Sequence, residues 1–370
     1  MIQRITGCIL TPQGWVRGGI EFNERIGAIQ GQPTAAPVEG ESLVLPGFID
    51  LHVHGGGGAD VMDGNGAIDT VATLHAGHGT TSLLATTMTA PHADIEHALG
   101  DIGRAVRERP PHSARVLGVH LEGPFINPGK LGAQPGFARL GAIEEVAALH
   151  ALAPIRVLTL APEIAGHLDF IRHLKIAGIV PQLGHTSGSY EDGVAALDAG
   201  AGGFTHLFNA MSELHHRKPG MVGAALAHAH YAEIIPDLLH VHPGAIKAAL
   251  RAIPKLFAVT DSTAGAGMPD GVYRLGSHTV TKCLGGVRLA DGTLAGSALT
   301  MDQAFRNLVS IGVDPAAAAR MTSTHAADYL GVRDRGRLQE GAWADIVVMS
   351  PEFQLIHTFV EGESIELADA

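Results

Sequence analysis

Between residues 47 and 261 the apolar positions gather into eight short runs, at 47–54, 81–87, 116–122, 157–161, 179–185, 203–209, 232–240 and 256–261. The runs are unbroken rather than alternating, as expected of parallel strands buried on both faces. Ala-rich stretches at 142–151, 165–177 and 190–199 lie between them and read as helices. Eight strand–helix units predict a closed (β/α)8 TIM barrel, with an open sheet as the alternative. The flanks read differently. Short strand-like runs at 2–10, 14–22, 25–30 and 42–45 are split by Pro and Gly turns, and the chain end repeats this at 345–349 and 353–360. The pattern predicts an α/β chain with two units: a small β-sandwich domain built from both termini (1–45 plus 335–370) and a catalytic barrel (46–334).

The length of 370 residues suits a barrel of roughly 250 residues plus a smaller unit. A formal charge of -12 argues against a protein that neutralises nucleic-acid phosphates. A pocket can still be locally positive and take a small anion. Cys8 and Cys283 form no CxxC pair, which disfavours a thiolate metal site, and Cys283 reads as core packing. No apolar run has membrane-spanning length and no signal-peptide pattern opens the chain, so a cytoplasmic location without membrane contact is expected. Histidine changes the picture most, at 22 residues, and position decides which of them matter.

Polar residues fall at the C-terminal ends of the runs, the face on which barrel enzymes carry their active sites. The first run ends in His52-Val53-His54, and alternate residues of a strand point the same way. Glu122 ends the third run, His185 the fifth and Asp261 the eighth, while His206 lies in the sixth. A lone His at a strand end is more often structural; this set at one barrel mouth points to a metal centre. Imidazole and carboxylate suit Zn2+ first, with Fe2+, Mn2+ or Co2+ as alternatives. Glu122, His185 and His206 can hold one ion with a position open for water, and His52 and His54 a second with Glu122 bridging. Asp261 then serves as general base and acid, or as a further ligand. Glycines 55–58 suit a tight turn beside the metal better than a phosphate cradle, and 263–271 reads as a lid or a long loop.

The blocks PGFIDLHVHGGGG (46–58), GTTSLLATTMTAP (79–91), GVHLEGPFINPGKLGAQ (118–134), LAPE (160–163), GHTSGSYEDGVAALDAGA (184–201), THLFNAMSELHHRKPG (205–220), VTDSTAGAGMPDG (259–271) and LAGSALTMDQAFRN (294–307) run through nearly the whole barrel. On these blocks the chain resembles the N-acetylglucosamine-6-phosphate deacetylase family of the amidohydrolase superfamily. The resemblance implies metal-dependent removal of acetate from a sugar phosphate in amino-sugar catabolism, with one or two divalent ions per subunit. It also implies a homodimer. By position, Glu122, His185 and His206 match the shared metal site, His52 and His54 the extra pair, and Asp261 the catalytic acid and base. Ala133, Gln134, Asn209, Ala210, Leu294, Ala295 and Gly296 match substrate contacts. Arg217 matches a phosphate ligand, and His240 one lent by the neighbouring subunit. Some members carry His at the position of Gln134, so carbonyl polarisation here is expected to rest more on the metal. Rival readings are a deacetylase for the galactosamine epimer, a cyclic-amide hydrolase, which Glu122 in place of a bridging Lys disfavours, and a scaffold without catalysis.

Overall fold

The structure, a computed structural model, describes residues 2–368. Six parallel strands pair in chain order: Phe48–Val53, Thr80–Thr87, Arg115–Glu122, Ile155–Leu160, Val180–Leu183 and Gly203–Phe204. Tyr231–Ile234 and Lys255–Ala258 form a further parallel pair. Backbone hydrogen bonds join the two groups into a ring. Leu207 N–H donates to Glu233 O at 2.9 Å, linking the sixth strand to the seventh. Asp261 N–H donates to His52 O at 2.9 Å and His54 N–H to Ser262 O at 2.9 Å, linking the eighth to the first. The ring is the (β/α)8 barrel expected from the eight runs.

The strands are buried throughout, so each alternate set of side chains meets a different dry environment. Ile49, Leu51 and Val53 face the main apolar core, while Asp50 and His52 join hydrogen bonds inside the barrel. That interior is unusually polar. His120 Nε2 meets Thr159 Oγ1 at 2.7 Å, Thr159 meets Thr205 at 2.7 Å, Gln182 donates to Thr205 at 3.0 Å, and Tyr329 donates to Gln182 at 2.6 Å. Buried polar groups persist where partners satisfy them, and this column supports the mouth from below. The helix Tyr190–Ala199, behind the fifth strand, starts at a reciprocal cap between Ser189 and Asp192 and ends at Gly200 with φ 116°. Such a cap contributes about 1 kcal/mol.

Strands Gln3–Thr11, Gly14–Phe22, Ile26–Thr34 and Leu43–Pro46 from one end, and Ile346–Met349, Leu355–Val360 and Glu363–Ile365 from the other, build one seven-stranded sheet. Alternation gives it two buried faces. Cys8, Leu10, Leu43, Leu45, Val347 and Met349 join the main core, while Ile9, Val44, Ile346 and Val348 form a second core with Phe22 and Phe359. The rings of Phe22 and Phe359 stand 5.1 Å apart, so the sheet curls until distant strands face each other.

Two features depart from the sequence reading. The seventh strand stops at Ile234, leaving residues 235–240 as a loop that carries His240. Residues 271–297 form an unforeseen antiparallel sheet of Gly271–Leu275, His278–Cys283, Gly286–Arg288 and Leu294–Ser297. Cys283 is exposed there rather than packed in a core. Residues 263–266 are buried and accept hydrogen bonds from the glycine loop: Gly57 N–H donates to Ala266 O and Gly58 N–H to Ala264 O, both at 2.9 Å. A Cβ on Gly55 would stand 2.6 Å from Ala264 N, so the glycines serve close backbone approach.

Candidate metal centre and active site

Six of the side chains singled out in the sequence meet at the barrel mouth. His52 and His54 project together from the first strand, with their Nε2 atoms 3.2 Å apart. Glu122 stands between two imidazole pairs. Its Oε2 lies 3.1 Å from His54 Nε2 and 3.4 Å from His52 Nε2. Its Oε1 lies 3.0 Å from His185 Nε2 and 3.1 Å from His206 Nε2. Asp261 Oδ1 closes the first group at 3.2 Å from His54 Nε2. His185, His206 and Asp261 have φ of 47°, 27° and 51°. Left-handed backbone at non-glycine residues costs energy and concentrates at functional sites.

The donor atoms fit divalent cations. His54 Nδ1 faces Thr86 O at 3.1 Å and His185 Nδ1 faces Lys130 O at 2.8 Å. Donation to those carbonyls puts the proton on Nδ1 and leaves a lone pair on Nε2. His206 Nε2 lies 3.2 Å from His185 Nε2, so the lone pair of His185 faces a second imidazole nitrogen, and a shared proton or cation between them relieves the contact. Tetrahedral ligands about 2.1 Å from an ion stand roughly 3.4 Å apart, close to the spacings here. Two three-residue groups share Glu122: His52 with His54, and His185 with His206.

The local field points the same way. Burial alone would lower the His52 imidazole, but Glu122, Glu233 and Asp261 outweigh it and raise it well above its ordinary value. Against the same burial penalty, Asp261 and Glu122 raise His54 to about 9. Burial alone would raise Glu122, but the charge of His52 and the bonds to His185 and His206 hold it well below the carboxylate range. The cluster therefore draws positive charge, whether protons or a cation.

Several supporting residues escaped sequence reading. Glu233 Oε2 lies 3.0 Å from His52 Nδ1 and accepts from His206 N–H at 3.0 Å, so one carboxylate braces a ligand of each pair. Asp50 accepts from Thr260 Oγ1 at 2.6 Å, and burial pushes its carboxyl up to about 7 against that bond. His120 is buried beneath His52 and pushed down to about 4, first by burial and then by the charge of His52. The signal was present: a single acid inside an apolar strand, as in Tyr231–Ile234 or Phe48–Val53, is rarely buried without a partner.

A cavity of about 350 Å³ opens over the centre. Ala133, Gln134, Asn209, Ala210, Leu294 and Gly296 line it, together with Lys130, Met88 and Leu275. Gln134 is already engaged. Its amide donates to Glu122 Oε2 at 2.6 Å and its Oε1 accepts from Thr89 N–H at 2.7 Å, so it holds the shared carboxylate in place. Ala295 departs from expectation, because its side chain packs with Met88, Val280 and Val287. His240 also departs: it lines the cavity of its own chain, with Nδ1 2.6 Å from Asp237 Oδ2. Arg217 sits on an exposed loop, outside that cavity, with Nη1 2.7 Å from His216 Nε2.

Comparison with known proteins places this geometry. The amidohydrolase family model matches residues 43–365. The chain belongs to the amidohydrolase family. This amidohydrolase is 41% identical over 338 residues to the N-acetylglucosamine-6-phosphate deacetylase of Bacillus subtilis (strain 168), spanning 87% of the chain and 84% of the relative. It is 39% identical over 372 residues to the N-acetylgalactosamine-6-phosphate deacetylase of Escherichia coli O157:H7, spanning 96% and 97%. A mutant N-acetyl-D-glucosamine-6-phosphate deacetylase from Mycobacterium smegmatis, solved in complex with N-acetyl-D-glucosamine-6-phosphate, superposes with a TM-score of 0.91 at 32% identity, covering 98% of each chain. The amidohydrolase has no helix, among the described residues, long and apolar enough to cross a membrane.

Proposed function

We propose that the chain hydrolyses N-acetyl-D-glucosamine 6-phosphate to D-glucosamine 6-phosphate and acetate, in the cytoplasm. The observation that carries this reading is Glu122 shared between two imidazole pairs, with Asp261 beside them at the base of a sugar-sized cavity. His185, His206 and Glu122 would hold one divalent cation, and His52 and His54 with Glu122 a second. Zn2+ is the first choice for this donor set, ahead of Fe2+, Mn2+ or Co2+. A cation held there acidifies water and draws electron density from an acyl oxygen.

The remaining work falls to the side chains. Asp261, a carboxylate whose Oδ1 lies 3.2 Å from His54 Nε2, is ready to take the proton of the attacking water. It returns that proton to the sugar nitrogen as the C–N bond breaks, so amide and water become amine and acetate. Gln134 keeps Glu122 oriented. Glu233 fixes the proton of His52 on the nitrogen facing away from the centre. His240, raised above its ordinary value because Asp237 outweighs burial, offers a ring N–H to the sugar phosphate from its own chain. The resemblance calls for a homodimer with His240 as the phosphate ligand from a neighbouring copy; because His240 lines its own chain's cavity, we assign that role instead to Arg217, on an exposed loop outside the cavity. We also propose the division of the chain into a terminal β domain (1–45 plus 335–370) and the barrel (46–334), on the separate core inside the terminal sheet.

The Escherichia coli relative supports a second reading, the galactosamine epimer, over nearly the full chain. The test is acetate release from both N-acetylhexosamine 6-phosphates and from unphosphorylated N-acetylglucosamine. Fast release from the gluco phosphate alone is the expected result. Faster release from the galacto phosphate would replace the first reading with the second, and none from either would reject both.

A further inference from the structure

One wall of the reaction cavity is apolar, formed by Met88, Ala133 and Leu275. Met88 and Leu275 belong to a small apolar cluster with Val280, Val287 and Ala295, built largely by the inserted sheet. The wall adjoins the metal centre, because Met88 Sδ lies 3.7 Å from Gln134 Nε2, which donates to Glu122 at 2.6 Å. This wall is apolar surface beside the centre against which the alkyl end of an acyl group held over Glu122 can pack.

Behind Met88 lies a second cavity of about 200 Å³, lined by Met62, Ala90, Pro91, Phe137, Arg274 and Ser277 among others. Met88 lines both spaces and is 2% exposed, so its side chain is the partition between them. The partition is packed on its other side by Gly276, where an added Cβ would stand 3.2 Å from Met88 Cγ. Methionine is unbranched and flexible, so it closes a gap without the backbone having to move.

We propose that Met88 sets the acyl-length limit of the enzyme, stopping the alkyl end at acetyl size and keeping it out of the second cavity. The proposal rests on the amidase reading of the site given above. Each methylene that a pocket must refuse is worth about 10- to 200-fold in kcat/KM. The test compares N-acetyl-, N-propanoyl- and N-butanoyl-glucosamine 6-phosphate as substrates of the metal-loaded wild type, Met88→Ala and Met88→Val. The wild type should lose about 10-fold or more in kcat/KM per added methylene. Met88→Ala should raise the butanoyl-to-acetyl ratio by about 10-fold or more, with bound metal unchanged. Met88→Val removes less volume and should shift the ratio the same way by less, which keeps the test open if the Ala variant is unstable. An unchanged ratio in a folded, metal-loaded variant would overturn the role of Met88 while leaving the deacetylase reading intact. So would a wild type that accepts the butanoyl substrate as readily as the acetyl one. No turnover of the acetyl substrate by the wild type would remove both.

Discussion

Where the terminal sheet meets the barrel, Asp345 and Glu361 face Arg335, with Arg115 and Arg109 also on Glu361. At the barrel mouth, Glu122, Glu233 and Asp261 face imidazoles, and among the described residues no Arg or Lys forms an ion pair with them. Both groups are buried, and both take carboxylates out of water at a cost of several kcal/mol per ion. The first offsets that cost within the chain. Arg335 Nη1 lies 2.5 Å from Asp345 Oδ2, and Arg115 grips Glu361 with two bonds of 2.9 and 2.8 Å. The second gathers three carboxylates around imidazoles, which carry positive charge only when protonated or holding a cation. A balanced cluster serves stability, whereas an acid-rich cluster without fixed cations is built to receive one.

Breaking the balanced cluster should give the largest stability effect. Arg335→Met strands the buried carboxylate of Asp345 and takes one of three guanidinium partners from Glu361, and is expected to cost about 3–5 kcal/mol, read as a fall in denaturation midpoint. The metal content of the protein that remains folded should not change. Replacing Asp345 as well, in Arg335→Met/Asp345→Leu, should recover part of the loss, because the unpaired charge is then gone. A single variant as stable as the wild type would remove the structural half of the comparison.

Acid should give a smaller, graded effect. Burial alone would raise the Glu361 carboxyl, but Arg115 and Arg335 hold it down to about 2. Asp302, likewise buried, is held at about 2 by His78, Arg306 and Thr300. A carboxyl depressed on folding contributes stability above its unfolded pKa of about 4 and loses it as pH falls towards the folded value. Unfolding of metal-free protein should therefore become easier from about pH 4 down to about pH 2. The slope should be shallower in Arg335→Met, where Glu361 loses one of its guanidinium partners. A steeper slope in the variant would contradict the assignment.

The same comparison shows what could be read from the chain beforehand. His52 and His54 were legible because strand periodicity points i and i+2 the same way, and Glu122, His185, His206 and Asp261 because they end or interrupt apolar runs. The barrel was legible because runs buried on both faces leave no alternation. Glu233 and Asp50 were harder to see. They lie within apolar strands, and only closure of the ring brings Glu233 to His52 and Asp50 to Thr260. The inserted sheet at 271–297 was hidden by its short, Gly-rich strands. The position of His240 depended on where the seventh strand ends, a boundary that a continuous apolar run does not mark. Arg217 is assigned by motif, and its exposure is a property of the folded loop.

The most direct measurement strips the protein with a chelator and titrates Zn2+ back, following bound metal and acetate release from N-acetyl-D-glucosamine 6-phosphate at each step, in the wild type and in Glu122→Gln. The expected result is acetate release that rises in proportion to bound zinc in the wild type. Glu122→Gln should bind zinc at least about 100-fold more weakly, because it loses the shared anionic ligand. Full acetate release from the metal-free wild type, or unchanged zinc affinity in Glu122→Gln, would contradict the account.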